Sequence, residues 1–133
     1  MSYYSKYTND LPDYQAPIAE SEANQFLEKV NTIIVQHLDD EEFASVPLSE
    51  EMGISRSQLF RKIKEYSGFS TALYIRHIRL QKSVDLLLDP NMSIRIVAFA
   101  VGFKDVAYFS RCFKQTFDRS PSQFRSETLQ IPV

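Results

Sequence analysis

Two arginines occupy matching positions in this chain and are suited to the same chemistry. Arg61 and Arg111 lie 50 residues apart, and each follows by six residues a polar residue that can cap a helix, Ser55 or Asp105. A guanidinium group donates two parallel hydrogen bonds, so it can recognise a pair of acceptors such as O6 and N7 of guanine. The two arginines are therefore the strongest candidates for contacts with base edges.

The residues that share an exposed helix face with these arginines are also candidates for base contacts. Ser57 can bond several bases, whereas Val106 and Ala107 can make only apolar contacts, for example with a thymine methyl group. Phe60 is unusual for base reading, and peripheral packing is its alternative role. The predicted base-contacting residues are Arg56, Ser57, Phe60, Arg61, Val106, Ala107, Tyr108 and Arg111.

Charge is distributed unequally along the chain. Residues 1–54 contain 2 Lys/Arg and 11 Asp/Glu, a net charge of −9, whereas residues 55–133 contain 13 Lys/Arg and 6 Asp/Glu, a net charge of +7. Attraction to phosphate depends on the local surface rather than on the chain total of −2. The predicted phosphate-contacting residues are Lys62, Lys64, Lys104, Ser110 and Lys114.

Apolar spacing and capping residues predict an all-α fold of about seven helices that would position these side chains. The expected helical segments are 21–38, 45–67 with a turn at Gly53, 71–88, 93–117 with a turn at Gly102, and a last helix from Ser120. The expected capping residues are Ser21, Ser45, Ser55, Ser93, Asp105 and Ser120. Each of the two turn-containing segments is a helix-turn-helix pattern, whose second helix can enter a DNA major groove.

The helix predicted at 71–88 is apolar on most of its circumference, so it should be buried by more than one neighbour. At about 27 Å, it would hold the second helices of both patterns in successive major grooves, which are about 34 Å apart. We expect Arg79 on this helix to form a salt bridge within the domain. Ile96, Phe99 and Ala100 are expected to be buried within the domain, or else to dock a partner such as RNA polymerase or a second copy.

An internal repeat supports two copies of one unit. A shift of 50 residues superimposes Arg61 on Arg111 and Lys64 on Lys114. The same shift aligns Leu59 with Phe109, Ile63 with Phe113, Gly68 with Asp118, Ser70 with Ser120 and Tyr74 with Phe124. Two similar units joined by a rigid helix are therefore predicted.

The second unit closely resembles the AraC/XylS-type DNA-binding domain of bacterial transcription regulators. The resemblance is carried by Val97-Ala98, Val101-Gly102-Phe103, Tyr108-Phe109-Ser110-Arg111, Phe113-Lys114, Ser120-Pro121-Ser122 and Phe124-Arg125, and it extends back to about Phe26. It implies sequence-specific binding of double-stranded DNA and regulation of transcription, as an activator. The stretches EEMGISRSQLFRKIK and YFSRCFK resemble the output domain of hybrid two-component regulators, which implies an upstream sensor and receiver module.

These patterns also predict how the chain is divided. We expect a disordered tail or linker over 1–20, a DNA-binding domain over 21–127 and a C-terminal tail over 128–133. Within the domain, the first helix-turn-helix unit would cover 21–70, the linker helix 71–88 and the second unit 91–127. The competing hypothesis is a helix-turn-helix module that has lost DNA readout and binds protein, which the acidic first 54 residues and Phe60 favour.

Few residues of the sequence favour a catalytic or metal site, and we predict neither an enzyme nor a cofactor. Cys112 falls on the apolar stripe of its helix, which favours a buried, inert thiol. His37 and His77 have no second ligand at metal-site spacing. No apolar run approaches the roughly 18 residues that span a bilayer, and the first residues lack the apolar core of a signal peptide. A cytoplasmic protein without membrane contact is expected.

Overall fold

The computed structural model describes residues 18–131, with side chains from Glu22 onward. This part of the chain forms seven α-helices and no strand, so the prediction of an all-α fold is confirmed. The helices are α1 (Ile18–Gln36), α2 (Ser45–Met52), α3 (Arg56–Ser67), α4 (Thr71–Leu87), α5 (Ile94–Ala100), α6 (Val106–Phe117) and α7 (Pro121–Leu129). Among them, none has both the length and the apolar character required to cross a bilayer.

The internal repeat appears in the structure as two equivalent helices. Both α3 and α6 have 12 residues, and they begin 50 positions apart. Each ends in a left-handed residue, Gly68 with φ 83° and Asp118 with φ 64°. An aspartate tolerates this conformation better than most residues, which explains how Asp118 replaces the glycine of the first unit.

Four predicted caps are confirmed, and two helix starts differ from the prediction. The side chains of Ser55, Ser93, Asp105 and Ser120 each accept a hydrogen bond from a backbone N–H in the first turn of α3, α5, α6 and α7. The residue before helix α2 is instead Ala44, which has an extended backbone and no side-chain hydrogen bond to the helix. Ser45 is the first helical residue. Helix α1 begins at Ile18, three residues before Ser21, because Ala19 and Glu20 favour helix.

The buried apolar residues form two separate clusters. The first core is formed mainly by α1, α3 and the beginning of α4, and it includes Val30, Ile34, Leu59, Ile63 and Ile78. The second core is formed by the end of α4 with α5, α6 and α7, and it contains Leu80, Val97, Phe109, Phe113, Phe117 and Phe124. Helix α4 therefore contributes to both cores, and the division falls between Ile78 and Leu80.

Helix α4 is buried by more than one neighbour, as its sequence predicted, because its residues contribute to both cores. Leu73 and Leu88, near its two ends, are each 43% exposed. Burial of its apolar side chains is therefore incomplete only near the two ends of the helix. In its middle, Leu80 and Ser83 have almost no accessible surface, whereas Gln81 and Lys82 between them are half-buried.

Arg79 and Arg125 have structural roles in the fold. Arg79 is buried, and its guanidinium donates to backbone carbonyl oxygens rather than to a carboxylate, so the predicted salt bridge is wrong. Arg125 on α7 donates from Nε to the Leu87 oxygen (2.8 Å) and from Nη2 to the Met92 oxygen (2.6 Å). It thereby closes the connection between α4 and α5.

The outer side of α5 is exposed rather than buried. Ile96 is 54% exposed and Phe99 is 41% exposed. The guanidinium carbon of Arg95 lies 5.4 Å from the centre of the Phe99 ring, which partly covers that ring with a cation. Burial within the domain, the first explanation considered for these residues, is therefore wrong.

Candidate nucleic-acid interface

Helix α3 separates an apolar face from an exposed polar face. The Ser55 side chain accepts from the Gln58 N–H at 3.1 Å, and the Gln58 side chain accepts from the Ser55 N–H at 3.0 Å, which fixes the start of the helix. Leu59 and Ile63 are buried in the first core. The four predicted contact residues of this helix are all exposed, and they are Arg56, Ser57, Phe60 and Arg61.

Helix α6 has the same organisation with a different cap. Asp105 Oδ1 accepts from the N–H groups of Ala107 (2.6 Å) and Tyr108 (3.2 Å), a favourable place for a carboxylate at the positive end of a helix. Ala107, Tyr108 and Arg111 are exposed. Val106 is half-buried and packs against the second core, so only part of its surface faces outward.

The beginning of α4 lies between the exposed faces of α3 and α6. Ala72 lines one cleft together with Arg56, Ser57 and Phe60 of α3. Ala72 also lines a second cleft with Arg76, Tyr108 and Arg111. Both faces therefore border the same end of α4, and the two arginines of the repeat are exposed rather than buried.

Tyr108 connects the exposed face of α6 to α4. Its hydroxyl oxygen accepts a hydrogen bond from Nη1 of Arg76 at 3.2 Å. The guanidinium carbon of Arg111 lies 5.6 Å from the centre of the Tyr108 ring, a cation–π distance. The sequence did not reveal this role for Arg76, because the contact joins residues 32 positions apart on two different helices.

The predicted phosphate-contacting residues lie in different environments. Lys62 is half-buried, with Nζ 5.4 Å from the centre of the Phe26 ring, and Lys64 Nζ donates to the Gly68 carbonyl oxygen at 3.0 Å. Ser110 is half-buried on α6, whereas Lys114 is exposed. Lys64 is exposed as well, but its ammonium group is already bonded to Gly68, so Lys114 is better presented to a phosphate than Lys62, Lys64 or Ser110.

Lys104 forms an ion pair across the two units. Its Nζ lies 2.8 Å from Oε1 of Glu42, in the acidic loop between α1 and α2. The hydrogen bond with Glu42, followed by the charges of Glu42 and Glu41, raises the pKa of Lys104. Lys104 therefore remains charged, but its charge is partly neutralised next to the cleft that Arg111 lines.

The described residues contain no group of three or more His, Cys, Asp or Glu side chains placed to hold a metal ion. Cys112 is buried among the aromatic residues of the second core, as its place on the apolar stripe predicted. His37 is instead engaged with Glu51, at 2.5 Å between Nε2 and Oε2, and stacks on Phe43. These residues have packing or pairing roles in the fold.

Comparison with known proteins agrees with this geometry. A family model described as a helix-turn-helix domain matches residues 48–127, more than half of the chain. The chain belongs to the AraC/XylS-type helix-turn-helix family. The matched range includes α3, α4, α5 and α6, so both exposed faces lie within the family region.

The chain is similar to both solved structures and curated proteins. The C-terminal domain of the two-component response regulator yesN from Fusobacterium nucleatum is 31% identical, with a TM-score of 0.67 over 76% of this chain and 98% of that chain. "Histidine kinase P4" from Formosa agariphila is 36% identical over 102 residues, 77% of this chain and 7% of that protein. The HTH-type transcriptional regulator MtrA from Neisseria gonorrhoeae is 40% identical over 74 residues, 56% of this chain and 25% of MtrA. The chain thus spans only a small part of these curated relatives.

Proposed function

We propose that this AraC-type domain binds double-stranded DNA in a sequence-specific manner and regulates transcription through two recognition helices, α3 and α6. The observation that carries the proposal is the matched exposure of Arg61 and Arg111 on helices that both border the beginning of α4. Helices held on one side of a domain can enter successive major grooves on one face of the duplex.

The contact roles follow from the chemistry of each exposed side chain. Arg61 and Arg111 are assigned to guanine edges, because each guanidinium can donate to O6 and N7 together. Arg56, Ser57 and Tyr108 provide further hydrogen-bond donors, and Ala107, Val106 and Phe60 provide apolar contacts to thymine methyl groups or sugars. Lys62, Lys64, Lys104, Ser110 and Lys114 are assigned to phosphates, and Lys64, Lys104 and Lys114 are the exposed members of this set.

The relatives suggest how the activity is controlled. One is a histidine kinase of which this chain matches 7%, and another is the C-terminal domain of a two-component response regulator. We infer that a sensor and receiver module acts on the domain, which then activates transcription by contacting RNA polymerase. This role places the domain in the cytoplasm. The exposed Ile96 and Phe99 are compatible with a contact to polymerase.

Selection of bound sequences from a pool of random duplexes tests the proposal directly. We expect the chain to enrich a site with two short boxes. Its affinity should fall steeply as the salt concentration increases, because lysine and arginine side chains that bind phosphates release counterions from the DNA. The competing function, a protein-binding module, is supported by the half-exposed Phe60. Failure to enrich any sequence, together with weak binding that salt hardly changes, would favour that module.

Lys114→Ala is expected to weaken binding to all duplexes alike, because an ammonium group contacts phosphate without reading sequence. The slope of log K against log salt concentration should become shallower by about 0.9, the contribution of one phosphate contact. Titrations at several salt concentrations, with the selected site and a scrambled site, provide the measurement. Lys29→Ala, on the exposed side of α1, is the matched control and should change neither quantity. A loss confined to the selected site would contradict the phosphate assignment.

Glu42→Gln is expected to strengthen DNA binding a few-fold at low salt. The substitution removes the carboxylate that pairs with Lys104 at 2.8 Å and leaves the ammonium free to face phosphate. Because both groups are well exposed, added salt should reduce the gain. Glu127→Gln removes the partner of Arg119 at the far end of the second unit and serves as the control. Equal affinities of the Glu42→Gln variant and the wild type at low salt would show that Lys104 does not reach DNA.

A further inference from the structure

The two helix-turn-helix units have separate cores, and the boundary between them along α4 falls at Arg79. Ile78 belongs to the first core and Leu80 to the second, and Arg79 lies between them in the chain. Helix α4 joins the two units, and groups outside this helix that contact both units also help to set the orientation of α3 relative to α6. One apolar link is Leu38, just after α1, which packs against the second core.

The buried guanidinium of Arg79 forms a polar link between the two units, because it donates to backbone carbonyl oxygens of both. Its Nη2 donates to the carbonyl oxygens of Asp40 at 2.9 Å and Phe43 at 3.0 Å, in the loop between α1 and α2. Its Nη1 donates to the carbonyl oxygen of Gly102 at 2.8 Å, in the turn before α6. Arg79 is only 9% exposed, and its bonds to Phe43 and Gly102 are buried, so water cannot readily replace the guanidinium at those two carbonyl groups.

The turn at Gly102 is packed closely against this guanidinium. A Cβ atom at Gly102 would lie 2.5 Å from the Leu38 carbonyl oxygen and 2.7 Å from Cζ of Arg79. The turn of the second unit therefore lies close to both Leu38, just after α1 of the first unit, and Arg79. We name the set formed by Arg79, the loop 37–44 and Gly102 the inter-unit joint.

We propose that Arg79 is a positioning residue that fixes the separation and relative rotation of α3 and α6, and thereby the number of base pairs accepted between the two DNA boxes. This inference rests on the proposed function for its DNA consequence, whereas its mechanical part concerns the free protein. One inserted base pair moves a box by about 3.4 Å and rotates it by about 34°. A rigid joint cannot follow that change, so a fixed spacing becomes part of the recognised sequence.

The mechanical part can be measured without DNA. Spin labels on Cys residues introduced at Glu65 of α3 and Gln115 of α6, in a Cys112→Ala background, report the distance between the helices by pulsed electron paramagnetic resonance. Both label positions are exposed and equivalent in the two units. We expect a narrow distance distribution in the otherwise unchanged chain and a broader or shifted one in the Arg79→Gln variant.

The DNA part uses duplexes with the sites that the wild-type chain selects, lengthened or shortened by one or two base pairs between the boxes. Wild-type affinity should fall about tenfold or more with one inserted base pair, a change of the size expected for one lost base contact. Arg79→Gln should lower the affinity for the optimal duplex and respond much less to the inserted base pairs.

Matched variants separate positioning from loss of stability. Arg125→Gln removes another guanidinium that donates to two carbonyl oxygens, but both acceptors lie at the connection between α4 and α5. It should lower the melting temperature without broadening the distance distribution or altering the spacing preference. If Arg79→Gln does not fold, Arg79→Lys keeps the charge but loses the planar fork, and the same broadening is expected.

The outcomes distinguish this inference from the proposed function. If the wild-type chain selects no sequence, the proposed function fails, and the distance measurement still decides whether Arg79 fixes the orientation of the units. A folded Arg79 variant with the narrow distance distribution of the wild type, or with its spacing preference, would overturn the inference. Broadening in both Arg79 variants but not in Arg125→Gln would support it.

Discussion

Replacing Arg111 with alanine is expected to weaken binding to the selected duplex by about 1–3 kcal/mol and to remove the preference for one base pair. The structure supports a large effect because Arg111 is held before any contact with DNA. Its guanidinium lies over the ring of Tyr108, and the Tyr108 hydroxyl is in turn held by Arg76. A side chain that is already ordered loses less conformational entropy on binding.

Arg111→Lys provides the matched control for charge. Lysine keeps the attraction to phosphate but cannot donate two parallel hydrogen bonds in the fixed geometry of guanidinium. We expect Arg111→Lys to retain most of the affinity for a scrambled duplex while losing preference at the same base pair as Arg111→Ala. Competition titrations with the four base pairs at that position provide the measurement. Equal losses on selected and scrambled DNA would instead assign Arg111 to a phosphate.

The repeat was the part of the fold that the sequence predicted best. The shift of 50 residues seen in the pattern around Arg61 and Arg111 is the offset between α3 and α6 in the structure. It was predictable because caps such as Ser55 and Asp105 act on the next three residues, and apolar spacing reports one face of one helix. Local signals of this kind can be recognised in a single sequence.

Errors arose where a contact joins distant segments. Arg79 was expected to pair with a carboxylate, but its acceptors are carbonyl oxygens 23, 36 and 39 positions away along the chain. Backbone carbonyl groups carry no signal of residue type, so the sequence cannot identify them as partners. The contact between Arg76 and Tyr108 was missed for the same reason, since it depends on how α4 packs beside α6.

The sequence also could not predict which apolar residues are exposed. Ile96 and Phe99 fall on the side of α5 opposite the buried Val97 and Ala98, but the pattern does not reveal whether another helix covers that side. Leu73 presents the same difficulty at the beginning of α4, where it lines the cleft between the units. Apolar side chains at a surface are common in folded proteins, so hydrophobicity alone does not establish burial.

Gly102→Ala is expected to destabilise the fold by about 2–5 kcal/mol. The glycine has φ 89°, a conformation that costs an L-residue about 1–2 kcal/mol. An added Cβ would also lie 2.5 Å from the Leu38 carbonyl oxygen and 2.7 Å from Cζ of the buried Arg79. Overpacking of this kind costs about 1–3 kcal/mol more, because the backbone must shift. Urea unfolding followed by circular dichroism measures the change.

Two other glycines separate the backbone term from the packing term. Gly53 and Gly68 also have positive φ, 72° and 83°, but a Cβ atom at either would meet no heavy atom within 4 Å. Gly53→Ala and Gly68→Ala should therefore lose only the backbone term of about 1–2 kcal/mol. A larger loss for Gly102→Ala would measure how tightly the inter-unit joint is packed. Three equal losses would mean that the joint yields to an added methyl group, and a joint that yields so easily could not hold α3 and α6 at one spacing.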